Sequence, residues 1–101
     1  MLNLTDIRPY LNADKVDTTK TAYLNALANG VSDFMEHYLN LEVTSESPKG
    51  LLLICADMVS YQFSLRPDLQ ELRTEDMELV FSTKYPASIT TRLNSYRRVK
   101  W

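Results

Sequence analysis

The chain has 101 residues with eleven basic and thirteen acidic side chains, which give a formal net charge of -2. This length suits one domain with a core of modest size. The slightly acidic balance argues against general affinity for nucleic acid, because that affinity depends on neutralising phosphates. A single cysteine, Cys55, excludes an internal disulfide, so a reducing compartment is expected.

From the sequence we expect neither a signal peptide nor a membrane span. The opening MLNLTDIRPYL lacks a basic region followed by an apolar one. The longest apolar run, LLLICA, is far too short to cross a bilayer. The segment NLTDIRPYL predicts a short helix or turn with Thr5 or Asp6 as its cap, because Pro9 follows closely.

An amphipathic helix is predicted over residues 18–39, with Asp17 or Thr18 as its cap. Apolar side chains recur at helical spacing on one side, namely Tyr23, Leu24, Leu27, Val31, Phe34, Met35, Tyr38 and Leu39. The other side is polar and comprises Asn25, Asn29, Ser32, Asp33 and Glu36.

The segment SPKGLLLICADMVSYQFSLRP predicts a second helix, with Ser47 as N-cap and Pro48 at the first helical position. Pro67 ends it. Apart from Gln62, its polar positions form one narrow stripe, Asp57, Ser60 and Ser64. A helix that is apolar around most of its circumference is buried by its neighbours, so we expect this to be the central helix.

The last third of the chain predicts an acidic loop, an extended arm and a short helix. Residues 66–76 carry four acids against two bases, and MELVFSTKY alternates as a strand does. One strand has no partner within this chain, so it either lies on the helices or pairs with another copy. A final helix follows in PASITTRLNSYRRV, where Ile89, Leu93 and Tyr96 share a face.

These elements predict an all-α fold: a small bundle of three main helices plus a short N-terminal helix, with an extended arm or loop before the last helix. We expect a single helical domain over residues 1–96, which includes a mobile loop and arm over 66–84. Residues 97–101 form a separate C-terminal segment, the docking tail.

Enzymatic chemistry is not expected. One histidine, His37, and one cysteine do not make a metal site, and no cofactor-binding motif occurs. His37 is expected on the surface and Cys55 in the core as an inert thiol. The loop carboxylates Asp68, Glu71, Glu75 and Asp76 lack an apolar enclosure that would shift a pKa, so we interpret them as solvated.

The docking tail and the helix before it are unusual in charge. The last ten residues hold four bases, Arg92, Arg97, Arg98 and Lys100, and no acid, whereas residues 1–91 hold seven bases and thirteen acids. Tyr96 and the only tryptophan, Trp101, accompany these bases. Three interpretations stay open: a segment that docks on a protein partner, a helix end that folds back on its own domain, and a nucleic-acid surface.

The order of these parts resembles the small head–tail connector proteins of tailed bacteriophages, also called adaptor or head-completion proteins. The resemblance spans nearly the whole chain, from LTDIRPYL through TTKTAYLNALANGVSDFMEHYLNL and SPKGLLLICADMVSYQF to YPASITTRLNSYRRVKW. The ending is its most specific element: a proline-started helix that leads to Leu93 and then to SYRRV.

The resemblance implies a ring, commonly of twelve copies, beneath the portal of the filled head. The ring would extend the DNA channel, let genomic DNA pass without specific binding, and offer a surface to the next neck or tail protein. It implies a place in the virion neck, and in the host cytoplasm during assembly, with no membrane association and no cofactor. Portal contact would fall to Tyr96, Arg97, Arg98, Lys100 and Trp101, and subunit or channel contact to Asp68, Glu71, Glu75, Asp76, Glu78 and Phe81. The alternatives are a small helical DNA-binding or regulatory protein and a generic adaptor in a bacterial complex.

Overall fold

The structure is a computed structural model, and it describes residues 2–11, 16–65 and 84–97. Regular secondary structure within these ranges is helical throughout. It comprises α1 (Leu4–Ile7), a 3-10 turn (Arg8–Tyr10), α2 (Thr21–Leu39), α3 (Lys49–Leu65) and α4 (Ala87–Asn94). The predicted all-α class, with a short N-terminal helix and three main helices, is confirmed. The arm and loop predicted over 66–84 lie outside the described residues, apart from Lys84.

Helix α1 begins with a capping box at Asn3, two or three residues before the cap predicted at Thr5 or Asp6. The Asn3 side chain accepts a hydrogen bond from the Asp6 amide at 3.2 Å, and the Asp6 carboxylate accepts one from the Asn3 amide at 3.0 Å. Each side chain thus satisfies an amide that the helix itself cannot. Pro9 falls in the 3-10 turn that follows.

The N-terminal segment is tied to α2 by two hydrogen bonds. The Leu2 amide donates to the Ser32 hydroxyl at 2.6 Å, and the Leu4 amide donates to the Asn25 side chain at 3.0 Å. Ser32 is fully buried beneath this segment. Its predicted place on the polar face of α2 was wrong. A buried hydroxyl is tolerated here because it satisfies a buried backbone amide.

Helix α2 starts at Thr21 rather than residue 18, because the residues before it form a local turn. The Asp17 carboxylate accepts from both the amide and the hydroxyl of Thr19, at 3.0 and 2.5 Å. Such side-chain turns compete with helix formation. These two hydrogen bonds lower the pKa of Asp17, and the one from the Thr19 hydroxyl has the larger effect. At its other end α2 stops at Leu39, and the next residue, Asn40, caps it with a positive φ of 58° and an amide that donates to the Glu36 carbonyl.

Helix α3 is the central helix, as predicted. It packs against α2, α4, α1 and the 3-10 turn. Its buried residues are Leu51, Leu52, Ile54, Cys55, Ala56, Met58, Val59, Gln62 and Phe63. The helix begins at Lys49, after Pro48, whose carbonyl accepts from the Leu51 amide at 2.9 Å. The Ser47 hydroxyl accepts a hydrogen bond from the Thr44 amide in the preceding turn. Its role as the cap of α3 therefore stays a prediction.

Candidate docking surface at the C-terminal end

Helix α4 is held against α3 by its apolar face. Ile89 and Leu93 are buried, and both belong to the main core. The helix ends at Asn94, and residues 95–97 continue from it in a turn. Their amides donate to the carbonyls of Arg92, Leu93 and Asn94 at 3.1 to 3.2 Å. We call residues 95–97 the tail root, because they join α4 to the docking tail and the remaining tail residues, 98–101, follow them in the sequence.

Arg92 interacts with its own domain. One guanidinium nitrogen lies 2.5 Å from a carboxylate oxygen of Asp57 on α3, and Nε donates to the Ser88 carbonyl at 3.0 Å. Both charged side chains are nearly half exposed, so the ion pair adds little to stability. It does neutralise one of the four C-terminal bases.

Tyr96 in the tail root packs directly on Gly50 at the start of α3. A β-carbon at position 50 would overlap the tyrosine hydroxyl, so this approach depends on glycine. Tyr96 is half-buried and packs against the core. Its ring also forms one wall of an open groove, whose other lining residues are Leu41, Glu42, Ser47, Pro48, Leu51 and Ser95.

Arg97 is held against α2. Its guanidinium carbon lies 4.8 Å from the centre of the Tyr38 ring, within the range of a cation–π interaction. The Tyr38 hydroxyl donates to the Asn94 side chain at the end of α4. Tyr38 therefore contacts both the last residue of α4 and the last residue of the tail root, which fixes that root to two helices.

A row of half-buried aromatic rings continues from Tyr38 across the bundle. Phe34 lies 5.7 Å from Tyr38 and 6.0 Å from Tyr85, and Tyr85 lies 5.7 Å from Tyr61, all measured between ring centres. Gln62 donates to the Tyr85 hydroxyl at 2.8 Å. Burial raises the pKa of Tyr85 to about 12, although the Gln62 hydrogen bond lowers it. This row packs the segment before α4 onto α2 and α3.

A second open groove of about 520 Å³ runs between α3 and α4. Its lining is mostly hydroxyl-bearing and charged: Asp57, Ser60, Tyr61, Ser64, Ser88, Ile89 and Arg92. The predicted polar stripe of α3 thus lies along this groove. Its only ion pair among the described residues is that of Asp57 with Arg92, so the groove has no strong net charge.

The predicted docking residues are placed only in part. Tyr96 and Arg97 lie on the domain surface as described above. The other three, Arg98, Lys100 and Trp101, lie outside the described residues. So do all six residues predicted for subunit or channel contact: Asp68, Glu71, Glu75, Asp76, Glu78 and Phe81. Whether these residues contact a portal or another subunit stays a prediction.

The sequence prediction missed Gly50 and Tyr38 as partners of the tail root. Gly50 carries no specific signal in the sequence, because glycine also occurs near helix ends for other reasons. Tyr38 was assigned to the apolar face of α2. Nothing in the neighbouring sequence indicates that its ring is half-exposed and contacts Arg97, which lies far along the chain. Both contacts join residues more than forty positions apart.

The two other candidate groups lie where the sequence predicted. The His37 side chain is 77% exposed and lies 3.5 Å from the Asp33 carboxylate. Cys55 is buried, and burial raises the pKa of its thiol to about 12, with a smaller contribution from the charge of Asp6. Across residues 2–11, 16–65 and 84–97, no three potential ligands among His, Cys, Asp and Glu converge on a metal site.

None of the helices described is long and apolar enough to cross a membrane. Comparison with known protein families, with characterised proteins and with solved structures finds no match to this chain.

Proposed function

We propose that this protein is a structural, non-enzymatic head–tail connector of a tailed bacteriophage or prophage. In this proposal it assembles as a homo-oligomeric ring beneath the portal protein, with a location in the virion neck. The observation that carries the proposal is a basic, aromatic docking tail that follows a fixed root on an otherwise acidic helical domain. The order of parts in the sequence supports the same family.

The fixed root supports a docking role, because a short segment binds more tightly when its starting point is ordered. Ordering a flexible segment costs free energy on binding, and a preorganised segment avoids part of that cost. Tyr96 on Gly50 and Arg97 on Tyr38 hold the chain immediately before Arg98, Lys100 and Trp101. Arginine and tryptophan are the residues most enriched at the energetic centres of interfaces.

The distribution of charge supports a channel extension. Residues 1–91 hold seven bases and thirteen acids, and the last ten residues hold four bases and no acid. An acidic portal rim would attract such a tail through charge-assisted hydrogen bonds. An acidic channel wall would repel the DNA backbone and so let genomic DNA slide through without specific binding.

The proposal is tested by adding purified protein to portal-bearing, DNA-filled heads that lack it, and counting bound copies by cryo-electron microscopy. The decisive variant ends at Arg97, because a shorter chain would also remove Tyr96 from the core. A second variant, Arg98→Glu with Lys100→Glu, reverses the charge of the tail. Its matched control, Arg8→Glu with Lys84→Glu, reverses two exposed bases elsewhere.

We expect the full chain and the control to form a ring on the portal, and both tail variants to fail. A full chain that does not bind would contradict the connector function. Binding that persists in both tail variants would instead assign the contact to another surface.

The alternative, DNA binding, is tested by gel retardation at moderate salt. Arg92 and Arg97 contact Asp57 and Tyr38, so no described contact favours it.

A further inference from the structure

We propose that Gly50 and Tyr38 are positioning residues for the docking tail: they hold Tyr96 and Arg97 of the tail root in one arrangement on the domain. This inference rests on the proposed docking function and adds two residues to it. Neither lies in the C-terminal segment itself. Both would act on a partner only through Tyr96 and Arg97.

The steric argument concerns Gly50. The Tyr96 hydroxyl occupies the space that a β-carbon at position 50 would need. Any other residue there must push the ring aside, because the backbone of α3 is fixed by core residues such as Leu51 and Leu52 that directly follow it. Glycine in a helix is otherwise unfavourable relative to alanine. Its presence is explained by the space that it leaves for the tyrosine.

The second contact fixes the direction of the chain. One attachment at Tyr96 would leave the following residue free to rotate about the backbone. Arg97 lies on the Tyr38 ring, and the same tyrosine donates to Asn94. The Arg97 amide also donates to the Asn94 carbonyl at 3.1 Å. Residues 94, 96 and 97 are thus held by α2, α3 and α4 together.

The first arm of the test uses the free full-length protein and needs no partner. Backbone heteronuclear NOE values are measured for Tyr96 and Arg97 in the wild type, in Gly50→Ala and in Tyr38→Ala. The control is Ser45→Ala, an exposed position in the connector between α2 and α3. We expect rigid values in the wild type and the control, and a clear loss of rigidity at both residues in the two variants.

The second arm measures binding of the same four proteins to the DNA-filled heads. We expect Gly50→Ala and Tyr38→Ala to bind roughly tenfold more weakly, as loss of preorganisation predicts, with their thermal unfolding still cooperative. If Gly50→Ala does not fold, Tyr96→Ala replaces it, since this change removes the same contact without a steric clash.

The outcomes separate the two proposals. A tail root that stays rigid in Gly50→Ala and Tyr38→Ala would overturn the positioning role, whatever the heads show. A loosened root with unchanged binding would overturn it as well, and leave the connector function intact. If the wild type does not bind the heads, the connector function fails, and the positioning role for docking fails with it, even if the root contacts themselves are verified.

Discussion

Gly50 and Tyr96 form a contact in which each residue limits what the other position can hold. The tyrosine ring covers the start of α3, and glycine is the residue that leaves room for it. A glycine in a helix normally costs free energy relative to alanine. At position 50 that cost is offset by packing of a half-buried aromatic ring against the core.

This pairing predicts that Gly50→Ala has different effects in two backgrounds. In the wild type we expect no gain in stability, because the tyrosine must move off the core. In a Tyr96→Ala background, the same change should stabilise the protein by about 0.4–1 kcal/mol, because alanine lowers the conformational entropy of the unfolded chain. Urea denaturation of the four proteins measures the coupling, expected at about 1 kcal/mol or more. Equal effects in both backgrounds would contradict the contact.

Helix α4 depends on two kinds of contact of unequal strength. Ile89 and Leu93 are buried against the rest of the core, whereas the Arg92–Asp57 ion pair joins two side chains that are nearly half exposed. Exposed ion pairs contribute at most about 1 kcal/mol, since water screens them and the side chains lose freedom. Burial of the apolar face therefore determines whether α4 stays attached.

We expect Leu93→Ala to lower the free energy of unfolding by about 2–5 kcal/mol, the usual cost of a large-to-small change in a core. Asp57→Asn removes the ion pair with almost no change in volume and should cost less than about 1 kcal/mol. Chemical denaturation of both variants compares them directly. A loss from Asp57→Asn as large as that from Leu93→Ala would show that the ion pair holds the helix.

Helix periodicity predicted which elements exist, but not where each one begins. The apolar faces of α2, α3 and α4 repeat at helical spacing over many residues, and that signal is local. Helix starts depend on competition between side chains for a few backbone amides. Asp17 forms a turn with Thr19 and delays α2, and Asn3 caps α1 before the predicted residues.

Long-range contacts were the part of the candidate site that sequence could not supply. The position of Ser32 on α2 predicted an exposed polar residue. It is instead buried, and its hydroxyl accepts a hydrogen bond from the Leu2 amide, thirty residues earlier in the chain. The basic C-terminal end was recognised by its charge. Its contacts with Asp57, Gly50 and Tyr38 depend on packing between helices, which no spacing rule encodes.

At the scale of the whole molecule, two groups are held where the neutral form is favoured: Cys55 in the core and the half-buried Tyr85 against it. Burial raises the pKa of Cys55 from 9.0 to about 12 and that of Tyr85 from 10.0 to about 12. For both groups the folded state favours the neutral form. Their contribution to stability is therefore complete below pH 9 and is lost as the pH rises toward 12.

We expect the free energy of unfolding to fall above pH 9, and more steeply above pH 10. Each group adds a slope of up to about 1.4 kcal/mol per pH unit. Tyr85→Phe should be less stable at pH 8 because the hydrogen bond from Gln62 to the Tyr85 hydroxyl is lost, but its slope above pH 10 should be shallower. Denaturation at several pH values measures this, with Tyr10→Phe as the matched control. An unchanged slope in Tyr85→Phe would contradict the burial of that hydroxyl.

The two hydrogen bonds between the N-terminal segment and α2 set an order for folding during synthesis. Leu2 and Leu4 are made early, but their partners Ser32 and Asn25 are made 30 and 21 residues later. Helix α1 cannot dock while the ribosome still holds α2. It must therefore wait, unsupported by the bundle, until the second helix has emerged.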